Sequence, residues 1–139
     1  MGFWTKAVTL EELNRQWIPP LATKWNAAFT QIGDGELTAS FEVTPSACQP
    51  FGYLHGGVSV YMGESLGSIA ANLCIAEDQQ AFGMDITASH VRPMKMGGVL
   101  TITARNKHRG KTTQLWGIEV QDQQQRLVAD MVFRVAVVS

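Results

Sequence analysis

Cysteine and charge of one sign are both scarce in this sequence of 139 residues, and each shortage excludes a class of protein. Two cysteines cannot form the disulfide framework of a small secreted domain. A formal net charge of −1 lacks the basic excess that general nucleic-acid and membrane-surface binding require. The histidines His55, His90 and His108 complete no zinc spacing, so we expect no metal site and no separate cofactor.

Long uninterrupted apolar runs are also missing. The longest apolar stretch, residues 58–76, is broken by Glu64, Ser65 and Ser68, which a membrane span would rarely tolerate. The N-terminus has no basic region followed by an apolar core, and no repeat or low-complexity linker divides the chain. With 45% hydrophobic residues, we expect one globular domain, residues 1–139, in the cytoplasm.

Alternating side chains identify the strands. Between residues 36 and 43, apolar and polar side chains alternate with the period of a strand that has one buried face. The Gly33-Asp34-Gly35 turn before it predicts a hairpin partner at residues 24–32, which would include Trp25. Further strands are expected near residues 80–92, 97–107, 112–121 and 126–138.

Two helices are predicted. Thr9 and Glu12 fit a capping box, so a short helix should begin there and end by Pro19 and Pro20. Residues 58–76 predict a helix roughly 28 Å long, at ~1.5 Å per residue. Since this helix is apolar nearly all round, we expect it to be buried nearly all round. The predicted fold is α+β, a curved antiparallel sheet of about six strands around one central helix.

Glu64 is the one carboxylate in this long helix. A lone buried acid is costly unless it is paired, and the helix offers no basic partner. An ion pair with another element is the structural interpretation, but unpaired buried acids gather at sites of chemistry. Ser68 lies four residues on, where its hydroxyl could hold a water against the carboxylate or serve only as a small packing residue.

The segment before the helix adds groups suited to acyl transfer. His55, Gly56 and Gly57 stand where the helix begins, and free amides at that end attract a developing negative charge. Each residue also has an ordinary interpretation: His55 as a cap, the glycines as a turn, and Gln49 as part of a loop. Together with Glu64 they supply an oxyanion site, orienting side chains and a carboxylate.

The spacing of these groups indicates a dimer. Glu64 is eight residues beyond Gly56, which is about 12 Å along a helix axis at ~1.5 Å per residue. One chain therefore cannot bring both groups to the same carbonyl. Two antiparallel helices across a two-fold axis would place Glu64 of one subunit opposite His55 and Gly56 of the other.

Two segments give the sequence a family resemblance. QPFGYLHGGVSVYMGESLGS, residues 49–68, and GMDITASHVRP, residues 83–93, are its densest parts. The chain resembles the hotdog-fold acyl-CoA thioesterases of the PaaI-like branch. That branch includes enterobacterial enzymes acting on 1,4-dihydroxy-2-naphthoyl-CoA, which would place the chain in menaquinone biosynthesis, and on aryl groups mischarged on enterobactin carriers.

The resemblance implies a role for each matching residue. Glu64 would be the nucleophile or the general base, and Gly56 would give the oxyanion amide. Gln49 and His55 would orient and polarise the thioester carbonyl, while Ser68 would position the hydrolytic water. The resemblance also implies that two subunits share each site and that dimers pair into tetramers.

The same resemblance implies contacts with coenzyme A, which is part of the substrate. These residues are Gly83, His90, Val91, Arg92, Pro93, Lys107, His108, Arg109, Gly110 and Lys111. The turn at residues 107–111 is basic in a nearly neutral chain, which suits nucleotide phosphates, although a solvated hairpin tip is the ordinary interpretation. Its extra cations and Trp25 depart from the family pattern and leave the acyl preference open.

Other functions are compatible with parts of the pattern. The chain could clear misloaded aryl-carrier proteins, or act as a non-catalytic acyl-CoA sensor, which would have no need of Glu64. A dehydratase would pair histidine with an acid in a different motif. Cys48 beside Gln49 is a weaker nucleophile candidate, because a reactive thiolate needs an electropositive surrounding that the sequence does not indicate.

Overall fold

A computed structural model describes residues 2–139, and these form two α-helices, two 3₁₀ turns and six strands. The helices are α1 (Leu10–Gln16) and α2 (Gly56–Asn72), and the 3₁₀ turns span Pro20–Trp25 and Pro45–Ala47. The strands are β1 (Ala28–Gly33), β2 (Glu36–Glu42), β3 (Gln80–His90), β4 (Val99–Arg109), β5 (Thr113–Gln121) and β6 (Leu127–Val138). None of the helices within residues 2–139 has the length and hydropathy needed to cross a bilayer.

The strands form one antiparallel sheet in the order β1-β2-β4-β5-β6-β3, which confirms the predicted α+β fold. Strand β3 lies at one edge, and its neighbour in the sheet is β6. Between Gly83 and Asp85 the register shifts by one residue, so Met84 forms a bulge in this edge strand. Such a bulge bends the strand and redirects the side chains beside it.

One face of α2 packs on the sheet. The buried positions recur every three or four residues and are Val58, Ser59, Met62, Gly63, Leu66, Gly67, Ala70 and Ala71. A Cβ on Gly63 would lie 2.6 Å from Sδ of Met131, and one on Gly67 would lie 2.5 Å from Cδ2 of Phe133. These glycines therefore make room for large side chains of β6, which brings the helix close to the sheet.

Two predictions about α2, its bounds and its burial, are corrected by the structure. The helix spans Gly56–Asn72, not residues 58–76, because His55 caps its start and the chain turns after Asn72 towards β3. Burial nearly all round is wrong for this chain by itself. Glu64 is exposed and Ser68 is half-buried, and Tyr61 is half-buried with the Trp25 ring packed edge-on against it at 5.4 Å between ring centres.

The first hairpin also differs from its predicted bounds. Strand β1 covers Ala28–Gly33, whereas a strand was predicted at residues 24–32. The 3₁₀ turn from Pro20 holds Trp25, and Asn26 ends it in the left-handed region at φ 52°. Proline fixes the backbone angle that starts such a turn, so Trp25 is buried in a turn and not in the strand.

The short helix α1 begins as predicted. The hydroxyl of Thr9 accepts a hydrogen bond of 3.1 Å from the backbone N–H of Glu12, which confirms the cap. The Glu12 carboxylate accepts from the Thr9 hydroxyl at 3.2 Å, and within residues 2–139 the second bond of a capping box, from the Thr9 backbone N–H, is not formed. The helix ends at Gln16, ahead of the two prolines.

Candidate active site

The start of α2 presents one free backbone amide. The N–H of Gly57 donates to Nδ1 of His55 at 2.8 Å, and the N–H of Val58 donates to the carbonyl of His55 at 3.0 Å. Within residues 2–139 the N–H of Gly56 donates to no acceptor. This donor lies at the positive end of the helix dipole, where it can stabilise an oxyanion.

His55 therefore has a structural task as well as the predicted chemical one. Because its Nδ1 accepts the bond from Gly57, the neutral imidazole carries its proton on Nε2. The side chain is exposed, which leaves the Nε2–H group free to donate to a ligand. The cap and the polarising role are thus compatible in one side chain.

Gln49 is held in a fixed orientation by the loop that contains it. Its Oε1 accepts from the backbone N–H groups of Phe51 at 2.7 Å and Tyr53 at 3.2 Å. The sharp turn passes through Gly52, whose φ of 90° suits only glycine. With the amide oxygen occupied, the NH₂ group of Gln49 is the part available to a ligand.

Gln49 and Gly56 border a cleft of about 430 Å³ at the start of α2, and His55 stands beside it without lining it. His90 and Arg92 line the same cleft. A Cβ on Gly56 would lie 2.9 Å from Nε2 of His90, so the imidazole lies directly against the glycine. The backbone N–H groups of Val91 and Arg92 both donate to the carbonyl of Val128, which holds this segment on β6.

Glu64 lies in a second cavity, of about 400 Å³, with Tyr61, Ser65 and Ser68. The structure thus brings Glu64 and Ser68 together, as the helix spacing predicted. A Cβ on Gly83 would lie 3.2 Å from Oε2 of Glu64, so the carboxylate passes over the glycine beside the β3 bulge.

The expectation that Glu64 is buried is wrong for the single chain. Its side chain is exposed, and within residues 2–139 it forms no hydrogen bond or ion pair. The physical reason is that the elements beside it, including Gly83 of β3, leave the carboxylate uncovered. Glu64 and Gly56 also line separate cavities, so one chain does not assemble the predicted catalytic set.

The predicted coenzyme A residues fall into two groups, and Gly83 belongs to the second, beside Glu64. His90, Val91, Arg92 and Pro93 line the first cleft. Residues 107–111 include the end of β4 that lies near Gly83. Gln114, beside this turn, pairs with Val135 of β6, and Val135 also pairs with Gly83. The turn therefore lies at the Glu64 end of the sheet.

Arg109 in this turn serves the fold. Its guanidinium donates to the carbonyl of Phe3 at 2.6 Å and to the carbonyl of Cys74 at 2.6 Å, and it lies 4.6 Å from the centre of the Phe3 ring. These donors join the N-terminal segment to the chain just beyond α2, which gives Arg109 a structural role, and its predicted contact with coenzyme A stays a prediction. Lys107 and Lys111 remain exposed.

The two cysteines are accounted for by packing. The thiol of Cys48 donates to the carbonyl of Thr44 at 3.4 Å. Cys74 is buried, and this burial raises the pKa of its thiol above the usual value. Among residues 2–139, no three His, Cys, Asp or Glu side chains come close enough to hold a metal ion.

Two features of the cleft were not predicted from the sequence. One is the contact between His90 and Gly56, which join elements 34 residues apart in the chain. The other is Ser59, which lines the cleft from within the apolar run. Helical spacing alone could have indicated Ser59, because it stands three residues beyond Gly56 on the same face.

Comparison with known proteins gives a consistent result. The family model described as the thioesterase superfamily matches residues 51–129. A 1,4-dihydroxy-2-naphthoyl-CoA hydrolase of Escherichia coli is 39% identical over 124 residues, covering 89% of this chain and 90% of the relative. The proofreading thioesterase EntH of Cronobacter turicensis is 37% identical over 123 residues, covering 88% of this chain and 89% of the relative.

A solved structure is similar over almost the whole chain. The crystal structure of a mutant thioesterase from Pseudomonas aeruginosa superposes with a TM-score of 0.92 at 33% sequence identity. The match covers 99% of this chain and 99% of that one. The sheet, the central helix and the loop before it are therefore shared with a thioesterase.

Proposed function

The chain belongs to the thioesterase superfamily and is a thioester hydrolase, and we propose that its substrate is an acyl-CoA with an aromatic acyl group, such as 1,4-dihydroxy-2-naphthoyl-CoA. The single observation that carries the proposed thioester chemistry is the free N–H of Gly56 at the start of α2, beside the cleft. The 39% identity to the Escherichia coli hydrolase supports the acyl group.

In the proposed reaction, the thioester carbonyl oxygen lies against the N–H of Gly56. The NH₂ group of Gln49 and the Nε2–H of His55 orient the carbonyl, and the helix dipole favours the negative charge that develops on the oxygen. These donors stabilise the tetrahedral species more than the substrate, which is the condition for raising the rate.

Glu64 supplies the carboxylate. Either it takes a proton from a water that attacks the acyl carbon, or it attacks the carbon itself and water then cleaves the resulting anhydride. In both routes the carbon–sulfur bond breaks, the leaving thiolate takes up a proton, and the products are a free acid and coenzyme A. Ser68, in the same cavity, would hold the water.

We propose that two subunits complete the site through the edge strand β3. An exposed edge strand readily pairs with a second copy. Antiparallel pairing about a two-fold axis between Ile86 and Thr87 would place Gly83 opposite His90 of the partner subunit. Glu64, which passes over Gly83, would then face the partner's cleft, and a further pairing of dimers would give a tetramer.

Coenzyme A would bind along this shared boundary. Arg92 is exposed beside the cleft, and Lys107 and Lys111 are exposed at the Glu64 end of the sheet. In the proposed dimer these ends come together, so cations from both subunits would reach the nucleotide phosphates.

The test is a panel of aromatic and aliphatic acyl-CoA thioesters assayed by release of free thiol. We expect the aromatic thioesters to have the highest kcat/KM. Faster hydrolysis of every aliphatic thioester would contradict the aromatic assignment, and hydrolysis of none would contradict the proposed reaction.

A second candidate function is clearance of misacylated aryl-carrier proteins. The 37% identity to a proofreading thioesterase, close to the value for the CoA hydrolase, favours including it. The same aryl group should therefore be offered on coenzyme A and on a carrier protein. A kcat/KM more than about tenfold higher on the carrier would select the proofreading function.

A further inference from the structure

Ser59 is a buried polar residue without a partner. Its side chain is 1% exposed, and its Oγ forms no hydrogen bond within residues 2–139. A buried hydroxyl that has lost its water and gained no partner is unfavourable, so most such groups in folded proteins are bonded. Its neighbours on the sheet-facing side of α2 are apolar, which makes a serine there unexpected.

The position of Ser59 relates it to the cleft. It lies three residues beyond Gly56 on the same face of α2, and both residues line the 430 Å³ cleft. A serine inside a helix commonly donates to the carbonyl four residues earlier, which here belongs to His55. In this structure the Ser59 hydroxyl makes no such bond.

We infer that the Ser59 hydroxyl donates a hydrogen bond to a carbonyl oxygen of the bound acyl thioester. The inference rests on the proposed function, because it takes the cleft beside Gly56 as the thioester site. Two carbonyl groups have this chemistry: the thioester carbonyl itself and an amide carbonyl of the thiol arm. The first would strengthen the oxyanion site, and the second would hold the arm in the cleft.

Ser59→Ala removes the hydroxyl and adds no bulk. We expect kcat/KM to fall about tenfold, the effect of losing one neutral hydrogen bond to substrate. Because the hydroxyl is unpaired in the free protein, the melting temperature should stay the same or rise. A loss confined to kcat would identify the thioester carbonyl, and a rise confined to KM would identify the amide carbonyl.

The matched control is Ser40→Ala, the same change on strand β2 away from the cleft, which should leave both constants unchanged. Unchanged kcat and KM in Ser59→Ala would overturn the inference. So would a fall in activity accompanied by a fall in melting temperature, since that result indicates a structural hydroxyl. Should the alanine variant not fold, Ser59→Cys, a weaker donor of similar size, must show the same loss of activity in folded protein.

The wild-type enzyme is assayed first against the thioester panel. If it hydrolyses no thioester, the proposed function fails. The effect of Ser59→Ala is then measured as a change in the affinity for coenzyme A alone. Equal affinity of wild type and Ser59→Ala for coenzyme A would then also refute the amide-carbonyl form of the inference, and the thioester-carbonyl form would fall with the reaction.

Discussion

The proposed catalytic groups lie in two regions, one at the start of α2 and one at Glu64 further along the helix, and the chain builds these regions very differently. At the start of α2, Gln49 and His55 are each fixed by backbone hydrogen bonds, and His90 lies against Gly56. Two turns further on, Glu64 is exposed and bonded to nothing within residues 2–139. A donor site must be rigid before substrate arrives, whereas the carboxylate acts on a surface that this chain leaves open.

The difference indicates which part of the site a second subunit must provide. Among the residues that the structure describes, the cleft at Gly56 has donors but no carboxylate, and the cavity at Glu64 has a carboxylate but no free backbone amide of a helix start. Two copies related by a two-fold axis would supply each cavity with what it lacks.

The largest expected effect comes from the open end. Glu64→Gln should lower kcat by about 10³-fold or more, because it removes the carboxylate that acts as nucleophile or general base in the proposed site. The melting temperature should not change, since the side chain makes no bond that the fold requires. Steady-state kinetics and thermal denaturation check both statements.

Glu77→Gln is the matched control for this substitution, because it removes one exposed negative charge just beyond α2. It should retain wild-type kcat. Near-normal turnover in the Glu64 variant would exclude Glu64 from the mechanism.

The next effect tests the rigid end. Gly56→Ala adds a Cβ that would lie 2.9 Å from Nε2 of His90, so the imidazole must move and the oxyanion amide is crowded. We expect kcat to fall by about 10²-fold, the usual result of disturbing an oxyanion donor. Gly33→Ala is the control, because its Cβ would meet nothing closer than 3.6 Å and should leave kcat unchanged. Wild-type turnover in Gly56→Ala would show that the amide is not used.

A smaller pair of effects separates the two kinds of cation in the turn at residues 107–111. Arg109→Ala should lower the free energy of unfolding by about 1–2 kcal/mol, because its guanidinium donates to the carbonyls of Phe3 and Cys74.

Lys111→Ala should leave the free energy of unfolding unchanged and raise KM for acyl-CoA, and the difference in KM from wild type should shrink at high salt. An equal KM increase for a truncated pantetheine thioester would return Lys111 to a solvated surface role.

The smallest effect lies far from both cavities. The carboxylate of Asp122 accepts from the backbone N–H groups of Arg126 and Gln124, each at 2.9 Å, and from Nε of Arg126 at 2.8 Å. The hydrogen bond from the Arg126 backbone, more than any other contact, lowers the pKa of Asp122. The ionised form therefore stabilises the fold above the unfolded pKa of about 3.9, and this is lost as pH falls through the lower folded pKa.

Asp122→Asn should accordingly reduce the melting temperature at pH 7, and the difference from wild type should shrink as the pH is lowered below about 4. Turnover should be unaffected at neutral pH, because this turn borders neither cavity. A melting temperature gap that does not change with pH would show that the Asp122 charge does not stabilise the turn.

The sequence predicts much of the fold because local signals act over a few residues. The alternation in residues 36–43 and the cap at Thr9 depend on nearest neighbours, and both predictions are confirmed. The sequence predicts a start of α2 at residue 58, two residues late, because glycines are poor helix formers, whereas the cap from His55 makes Gly56 and Gly57 helical.

What the sequence could not predict depends on distant partners. The use of Arg109 follows from Phe3, which is 106 residues away, and from Cys74, which is 35 residues away. The exposure of Glu64 depends on whether anything covers the second face of α2. The sequence of an apolar helix is the same whether its own chain or a second subunit covers that face. The roles of the site residues stay predictions.

The central claim, that two subunits share each site, is tested by mixing Glu64→Ala with Gly56→Ala subunits after proven exchange. In a random equal mixture, about half of the dimers are mixed, and each mixed dimer holds one site with neither change. The account predicts recovery of about a quarter of wild-type activity, far above either variant alone. Activity no greater than the average of the two variants would contradict the shared site.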